Sequence, residues 1–81
     1  MDTETQISLA SFVIRSALAA RRDHLIRRGE PPSLVRIPIE FATALDAYMN
    51  AFAGQPDIVS VDRLLGMTIE WLDGPVVTVS T

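Results

Sequence analysis

Residues 67–80 read MTIEWLDGPVVTVS, and apolar residues alternate with polar ones on both sides of an Asp-Gly-Pro sequence at 73–75. Alternation with a period of two is typical of strands that have one buried face, and Asp-Gly-Pro is typical of a turn. The sequence therefore predicts an antiparallel hairpin made of residues 67–72 and 76–80.

The length of the hairpin loop follows from which side chains would share a face. A two-residue loop pairs Leu72 with Pro75 and mixes apolar with hydroxyl side chains on one face. A three-residue loop pairs Leu72 with Val76 and separates the two classes, so we predict the three-residue loop. The buried face of the hairpin then holds Met67, Ile69, Trp71, Val77 and Val79, and the exposed face holds Thr68, Glu70, Thr78 and Ser80.

The first predicted helix covers residues 5–28 and ends at Gly29, the residue type that most readily takes the left-handed conformation at a helix C-terminus. Apolar residues recur along it with a period near 3.6. Its buried face is expected to hold Leu9, Val13, Ala17, Ala20 and His24, with Ile14, Leu18 and Leu25 beside them.

The middle of the chain predicts a strand at 34–39 and a second helix at 40–53. Val35, Ile37 and Ile39 should share one face of the strand. Residues 58–65 are ambiguous, and we favour a helical turn there over a short strand. The buried stripe of the second helix is expected to be Phe41, Leu45, Tyr48 and Phe52, with Ala44 and Met49 beside it.

These elements predict the order α-β-α-(turn)-β-β in a single domain that covers residues 1–81. The fold class is α+β, with a small three-stranded, mainly antiparallel sheet and two helices packed on one face.

The length of the chain limits its stability. A chain of 81 residues buries only about 60% of its unfolded surface, and such domains often rely on disulfides, a metal or a partner chain. There is no Cys and only one His, so we expect no disulfide, no metal and no other cofactor. Binding to a protein partner or self-association remains as the source of extra stability.

Neither a membrane span nor a secretion signal is predicted. No apolar run approaches the roughly 18 residues that cross a bilayer. The chain starts Met-Asp-Thr-Glu, which is acidic, whereas a signal peptide starts with basic residues. We therefore expect a cytoplasmic protein without a membrane partner.

Charge is distributed unevenly around a net value of −3. All the basic residues are Arg, and residues 12–28 carry a charge of +4, whereas residues 30–81 carry −5. The five arginines of the first helix are the leading candidates for partner binding: Arg15, Arg21, Arg22, Arg27 and Arg28.

Three interpretations of these arginines stay open. They form a solvated helix end or pair with acidic residues of the same chain, they bind an acidic protein, or they bind nucleic acid. On a helical projection the arginines surround the helix and form no single stripe, which makes nucleic acid the least favoured of the three.

His24 and Trp71 are the remaining candidates for partner binding. His24 is either a core or interface residue or a pH-sensitive contact, because imidazole changes charge near neutral pH. Trp71 is either a core residue or, if the sheet is incompletely covered, an anchor at an interface.

No catalytic set is predicted. Nucleophilic catalysis needs a base near the nucleophile, and the only imidazole lies on the apolar face of the first helix. The paired acids, Asp57 with Asp62 and Glu70 with Asp73, are expected to be solvated, because so small a domain leaves little room for a cleft between them. We therefore expect no enzyme activity.

Two short stretches resemble segments of small accessory proteins from tailed phages and prophages. They are residues 31–38, Pro-Pro-Ser-Leu-Val-Arg-Ile-Pro before a helix, and residues 64–70, Leu-Leu-Gly-Met-Thr-Ile-Glu. The resemblance implies a small phage-type protein that acts by binding or as a structural part, in the host cytoplasm or in the virion.

The sequence therefore predicts a non-enzymatic module for protein–protein interaction, which docks on a partner or on itself. Two alternatives remain. One is an acidic inhibitor that occupies the nucleic-acid-binding surface of a host enzyme, and the other is nucleic-acid binding through the arginine-rich first helix.

Overall fold

A computed structural model describes residues 3–51 and 62–81 of the chain. The elements are helix α1 (Thr3–Arg28), strand β1 (Leu34–Pro38), a 3₁₀ turn (Ile39–Phe41), helix α2 (Ala42–Ala51), and strands β2 (Arg63–Leu64), β3 (Met67–Leu72) and β4 (Thr78–Ser80). The predicted α+β class with two helices is confirmed, and the sheet has four strands in mixed orientation.

The order of strands in the sheet is β2-β3-β1-β4. β1 pairs in parallel with β3 and antiparallel with β4, and β2 pairs antiparallel with β3. Ser33, just before β1, joins both neighbours, because its N–H donates to the carbonyl of Ser80 at 3.0 Å and its carbonyl accepts from the N–H of Thr68 at 2.9 Å.

The predicted hairpin of residues 67–72 and 76–80 is wrong, because β1 lies between its two strands. β3 has two edges, and β2 occupies one of them while β1 occupies the other. The last strand pairs instead with the remaining edge of β1, and residues 73–77 carry the chain past the end of β1.

The parallel pairing of β1 with β3 has a physical cause in the order of elements. Two parallel strands need a crossover connection, usually a helix, and α2 lies between β1 and β3 in the chain. The predicted mainly antiparallel, three-stranded sheet is corrected in this respect.

A tight turn joins β2 to β3. Leu65 and Gly66 both have positive φ, at 53° and 82°, which is the conformation of a two-residue hairpin turn. The predicted helical turn over residues 58–65 is wrong for Arg63–Leu64, which form a strand, and its earlier part lies outside the described residues. A non-glycine residue with positive φ is uncommon, so Leu65 gave no turn signal.

The core lies between the inner face of the sheet and both helices. Val35 and Ile37 of β1 are fully buried, and they pack in one cluster with residues from both helices, as predicted. The remaining buried members of the cluster are Ala10, Val13, Ile14, Ala17, Ala44, Leu45, Leu64 and Met67.

The division of side chains between the two sheet faces follows the prediction only in part, because Trp71, predicted on the buried face, is 38% exposed and Ser80, predicted on the exposed face, is half-buried. Met67 is buried, Ile69, Val77 and Val79 pack against the core, and Thr68, Glu70 and Thr78 are exposed. Just after β1, however, Ile39 is 59% exposed, because the strand ends at Pro38 and the 3₁₀ turn begins at Ile39. Ile39 therefore does not share the buried face of Val35 and Ile37 as predicted.

The predicted helix boundaries are close to those observed. At the end of α1, Gly29 takes a φ of 66° and donates its N–H to the carbonyl of Leu25 at 2.9 Å, so the predicted glycine stop is confirmed. In α2, Phe41 and Tyr48 pack against the core as predicted, whereas Phe52 lies outside the described residues.

Candidate protein-binding surface

Helix α1 carries apolar residues on two opposite faces. The inner face holds Ala10, Val13, Ile14 and Ala17, which are buried in the core. Between residues 12 and 26, seven exposed residues share the opposite side within about 140° of arc at 100° per residue. We call this side the outer face; it consists of Phe12, Arg15, Leu18, Ala19, Arg22, Leu25 and Ile26.

The apolar side chains of the outer face are unusually open to solvent. Phe12 is 56% exposed, Leu18 46% and Ile26 75%. Scattered apolar residues on a surface are common, but adjacent large ones on a single face are typical of a binding surface. Two turns separate Phe12 from Ala19 and Ala19 from Ile26, so the apolar stripe runs along the helix.

Two arginines lie within the stripe. Arg15 and Arg22 line a shallow depression together with Leu18 and Ala19. Within residues 3–51 and 62–81, neither arginine forms a salt bridge. The ion pair found in these ranges joins Arg36 Nε to Glu70 Oε1 at 3.2 Å. The guanidinium groups of Arg15 and Arg22 are therefore available to an external carboxylate.

Arg21 is placed differently from its neighbours. Its Nη1 donates a hydrogen bond to the carbonyl of Leu65 at 3.3 Å. This contact connects α1 to the turn between β2 and β3. Arg21 also lines the apolar depression formed by Leu18, Leu25 and Ile26. It therefore borders the outer face and also joins α1 to the turn between β2 and β3.

The end of α1 and strand β4 enclose a second surface. His24, Arg27 and Arg28 lie on one wall of an open groove of about 380 Å³, and residues 77–79 lie on the other. Asp23 is also in the lining. The Nε2 atom of His24 is buried and has no hydrogen-bond partner within the described part of the chain.

Trp71 lies apart from the arginines. It occupies β3 directly opposite Ile37 of β1 and lines none of the surfaces described above. With 38% of its surface exposed, Trp71 is on the inner side of the sheet but incompletely covered by the described residues.

The structure thus divides the predicted binding residues into separate places. Arg15 and Arg22 share the outer face, His24, Arg27 and Arg28 share the groove beside β4, and Trp71 belongs to the sheet. A further shallow groove brings together the acids Glu40 and Asp73 beside Pro38. In residues 3–51 and 62–81, no group of three or more acidic or His side chains is arranged to hold a metal ion.

Sequence reasoning missed the apolar half of the outer face. Leu18 and Leu25 were expected beside the buried face, yet they are 46% and 40% exposed, and Phe12 and Ile26 had no assigned role. The signal was present as the seven-residue spacing of Phe12, Ala19 and Ile26, which places them roughly 140–180° away from Ala17 on a helix of 3.6 residues per turn.

None of the described helices is both long enough and apolar enough to cross a membrane. Comparison with known family models, curated proteins and solved structures found no match to this chain.

Proposed function

We propose that this chain is a protein–protein interaction module that binds its partner through the outer face of α1. The observation that carries the proposal is the exposed stripe on which Phe12, Leu18 and Ile26 alternate with Arg15 and Arg22. The proposal assigns no chemical reaction to the protein.

The composition of the stripe matches that of interface centres. Arg and aromatic residues are enriched where binding energy is concentrated, and apolar side chains around them exclude water. Full burial of an exposed Leu, Ile or Phe contributes about 1.5–3 kcal/mol. The partly exposed side chains of this face each contribute a fraction of that value, and together they favour association.

Fold stability supplies a second argument. The core uses only the inner face of α1, and its buried α1 residues end at Ala17. The last eleven residues of the helix, 18–28, hold no fully buried side chain, and a partner that covers the outer face would add contacts to this half of the helix.

The two alternative functions receive less support. Nucleic-acid binding requires several cations on one face to meet successive phosphates, and the five arginines are divided between the outer face, a contact with Leu65 and the groove beside β4. For an acidic inhibitor, Glu70 is partly neutralised by Arg36. The relationship to phage accessory proteins stays a prediction.

The experiment compares partner capture by matched variants of the full chain. Protein with Leu18→Ser and Ile26→Ser loses two apolar contacts of the outer face. The control, Ile39→Ser with Val76→Ser, removes two comparably exposed apolar side chains elsewhere, since Ile39 is 59% and Val76 60% exposed. Circular dichroism verifies that both variants fold.

We expect wild type and control to retain the same partner from lysate of the source cells, quantified by mass spectrometry, and the outer-face variant to lose at least nine-tenths of it. Equal retention by both variants would contradict the proposal. A wild-type protein that retains no partner and stays monomeric in light scattering would also contradict the proposal.

A further inference from the structure

We infer that the partner surface is an acidic amphipathic helix, with carboxylates about two turns apart that meet Arg15 and Arg22; the inference rests on the proposed function. The charge of the outer face is the first argument. Its two charged residues are both Arg, and no acidic residue lies among its seven members. A surface with unpaired guanidinium groups between apolar side chains is complementary to one with carboxylates between apolar side chains.

A second copy of this chain is a poor occupant of the outer face. If two α1 helices packed in parallel, Arg15 would face Arg15 of the other copy. If they packed antiparallel about the middle of the stripe, Arg15 would face Arg22. Like charges oppose each other in both directions, and such juxtapositions in an interface are strongly unfavourable.

The shape of the surface favours a helix over an extended peptide. An extended peptide gains much of its affinity by hydrogen bonding to the backbone of a strand edge. The backbone groups of α1 between Phe12 and Ile26 are already bonded within the helix. A partner that lies along this convex surface must therefore satisfy its own backbone, as a helix does.

The dimensions fix the pattern expected in the partner. Arg15 and Arg22 are seven residues apart, which is about 10.5 Å along the helix axis at 1.5 Å per residue. Two packed helices lie about 8–10 Å apart with a small crossing angle, so that their side chains stay in register over several turns. Carboxylates at positions i and i+7, with Leu- or Phe-sized residues between them, match the outer face.

The test selects peptides without assuming a natural partner. A displayed library of 21-residue helical peptides keeps a fixed apolar stripe and allows Asp, Glu, Lys, Arg, Gln or Ser at the flanking positions. It is selected against the full wild-type chain in 150 mM NaCl. Binders are then measured against wild type, Arg15→Ala/Arg22→Ala, and Leu18→Ser/Ile26→Ser by fluorescence anisotropy.

We expect the selected peptides to be enriched in Asp or Glu at i and i+7 and to lose at least tenfold in affinity towards the arginine variant. Replacement of the two acids by Gln in the best peptide should cause a similar loss, and a control DNA duplex should not compete.

The remaining outcomes separate the inference from the function on which it rests. Peptides that require Leu18 and Ile26 but show no acidic enrichment would overturn the inference and leave the proposed docking face standing. Peptides that bind the wild type, the arginine variant and the Leu18→Ser/Ile26→Ser variant equally would count against both the inference and the proposed docking face. Failure to select any binder, or displacement of the peptides by the DNA duplex, would also overturn the inference.

Discussion

Replacing Ile37 by Ala is expected to lower the free energy of unfolding by about 3 kcal/mol, within the range of 2–5 kcal/mol for buried Ile-to-Ala changes. Ile37 is fully buried and lies on β1, which has a strand on each side. Removing part of its side chain leaves a cavity between the sheet and the helices. For a domain of this size the loss corresponds to a fall of roughly 12–24 °C in the midpoint of thermal unfolding.

Ile39 provides the matched control on the same segment. It has the same side chain two residues further along, but 59% of its surface is exposed, so Ile39→Ala should change the unfolding free energy by no more than about 0.5 kcal/mol. Urea denaturation followed by circular dichroism measures both variants. Equal destabilisation by the two substitutions would mean that the strand continues through Pro38 and that Ile39 is part of the core.

The second large effect concerns binding. The double charge reversal Arg15→Glu/Arg22→Glu is expected to weaken the binding of an acidic helical partner at least 100-fold, which equals about 2.8 kcal/mol at about 1.4 kcal/mol per factor of ten. Each substitution removes an attractive pair and places a carboxylate against a carboxylate. Isothermal titration calorimetry with the best selected peptide measures the change.

Two controls make this result specific. The stability of the reversed protein should stay within about 0.5 kcal/mol of wild type, because both arginines are exposed and neither forms a salt bridge within the described residues. A peptide with Lys in place of its two acids should recover most of the lost affinity towards the reversed protein. Unchanged binding of the acidic peptide, or no recovery with the Lys peptide, would contradict direct pairing.

Local patterns in the sequence predicted the elements better than their arrangement. The helical period of residues 5–28 and the stop at Gly29 depend on neighbouring residues, and both agree with the structure. The strand predicted at 34–39 is also present, although it ends one residue earlier, at Pro38. Alternation also placed Val77 and Val79 towards the core and Glu70 and Thr78 towards solvent. These features follow from periodicity and backbone preferences, which a sequence displays directly.

The pairing of strands could not be predicted in the same way. A hairpin of residues 67–72 and 76–80 satisfies the alternation as well as the observed sheet does, because both arrangements bury the same faces. The difference depends on Leu65 and Gly66, whose turn places β2 on one edge of β3. Leu in a left-handed conformation is not a recognisable turn signal, so β2 was missed and β4 was assigned the wrong neighbour.

The candidate site was predicted only in its charged part. Arg15 and Arg22 were identified from charge alone, whereas Leu18 and Leu25 were expected to help bury the helix. A helix with apolar residues all round can be buried on every side in a larger assembly or, as here, on one side of a small domain. The sequence does not show which face meets the core; the contacts with α2 and the sheet decide it.

Partner binding at the outer face of α1 is the central claim. Two-dimensional NMR of ¹⁵N-labelled protein, with and without the captured partner, tests this directly. We predict that amide shifts change along residues 12–26 and at the turn that Arg21 contacts, while the amides of β1 keep their positions. Changes confined to the groove between His24 and β4, or to the exposed face of the sheet around Glu70, would contradict the account.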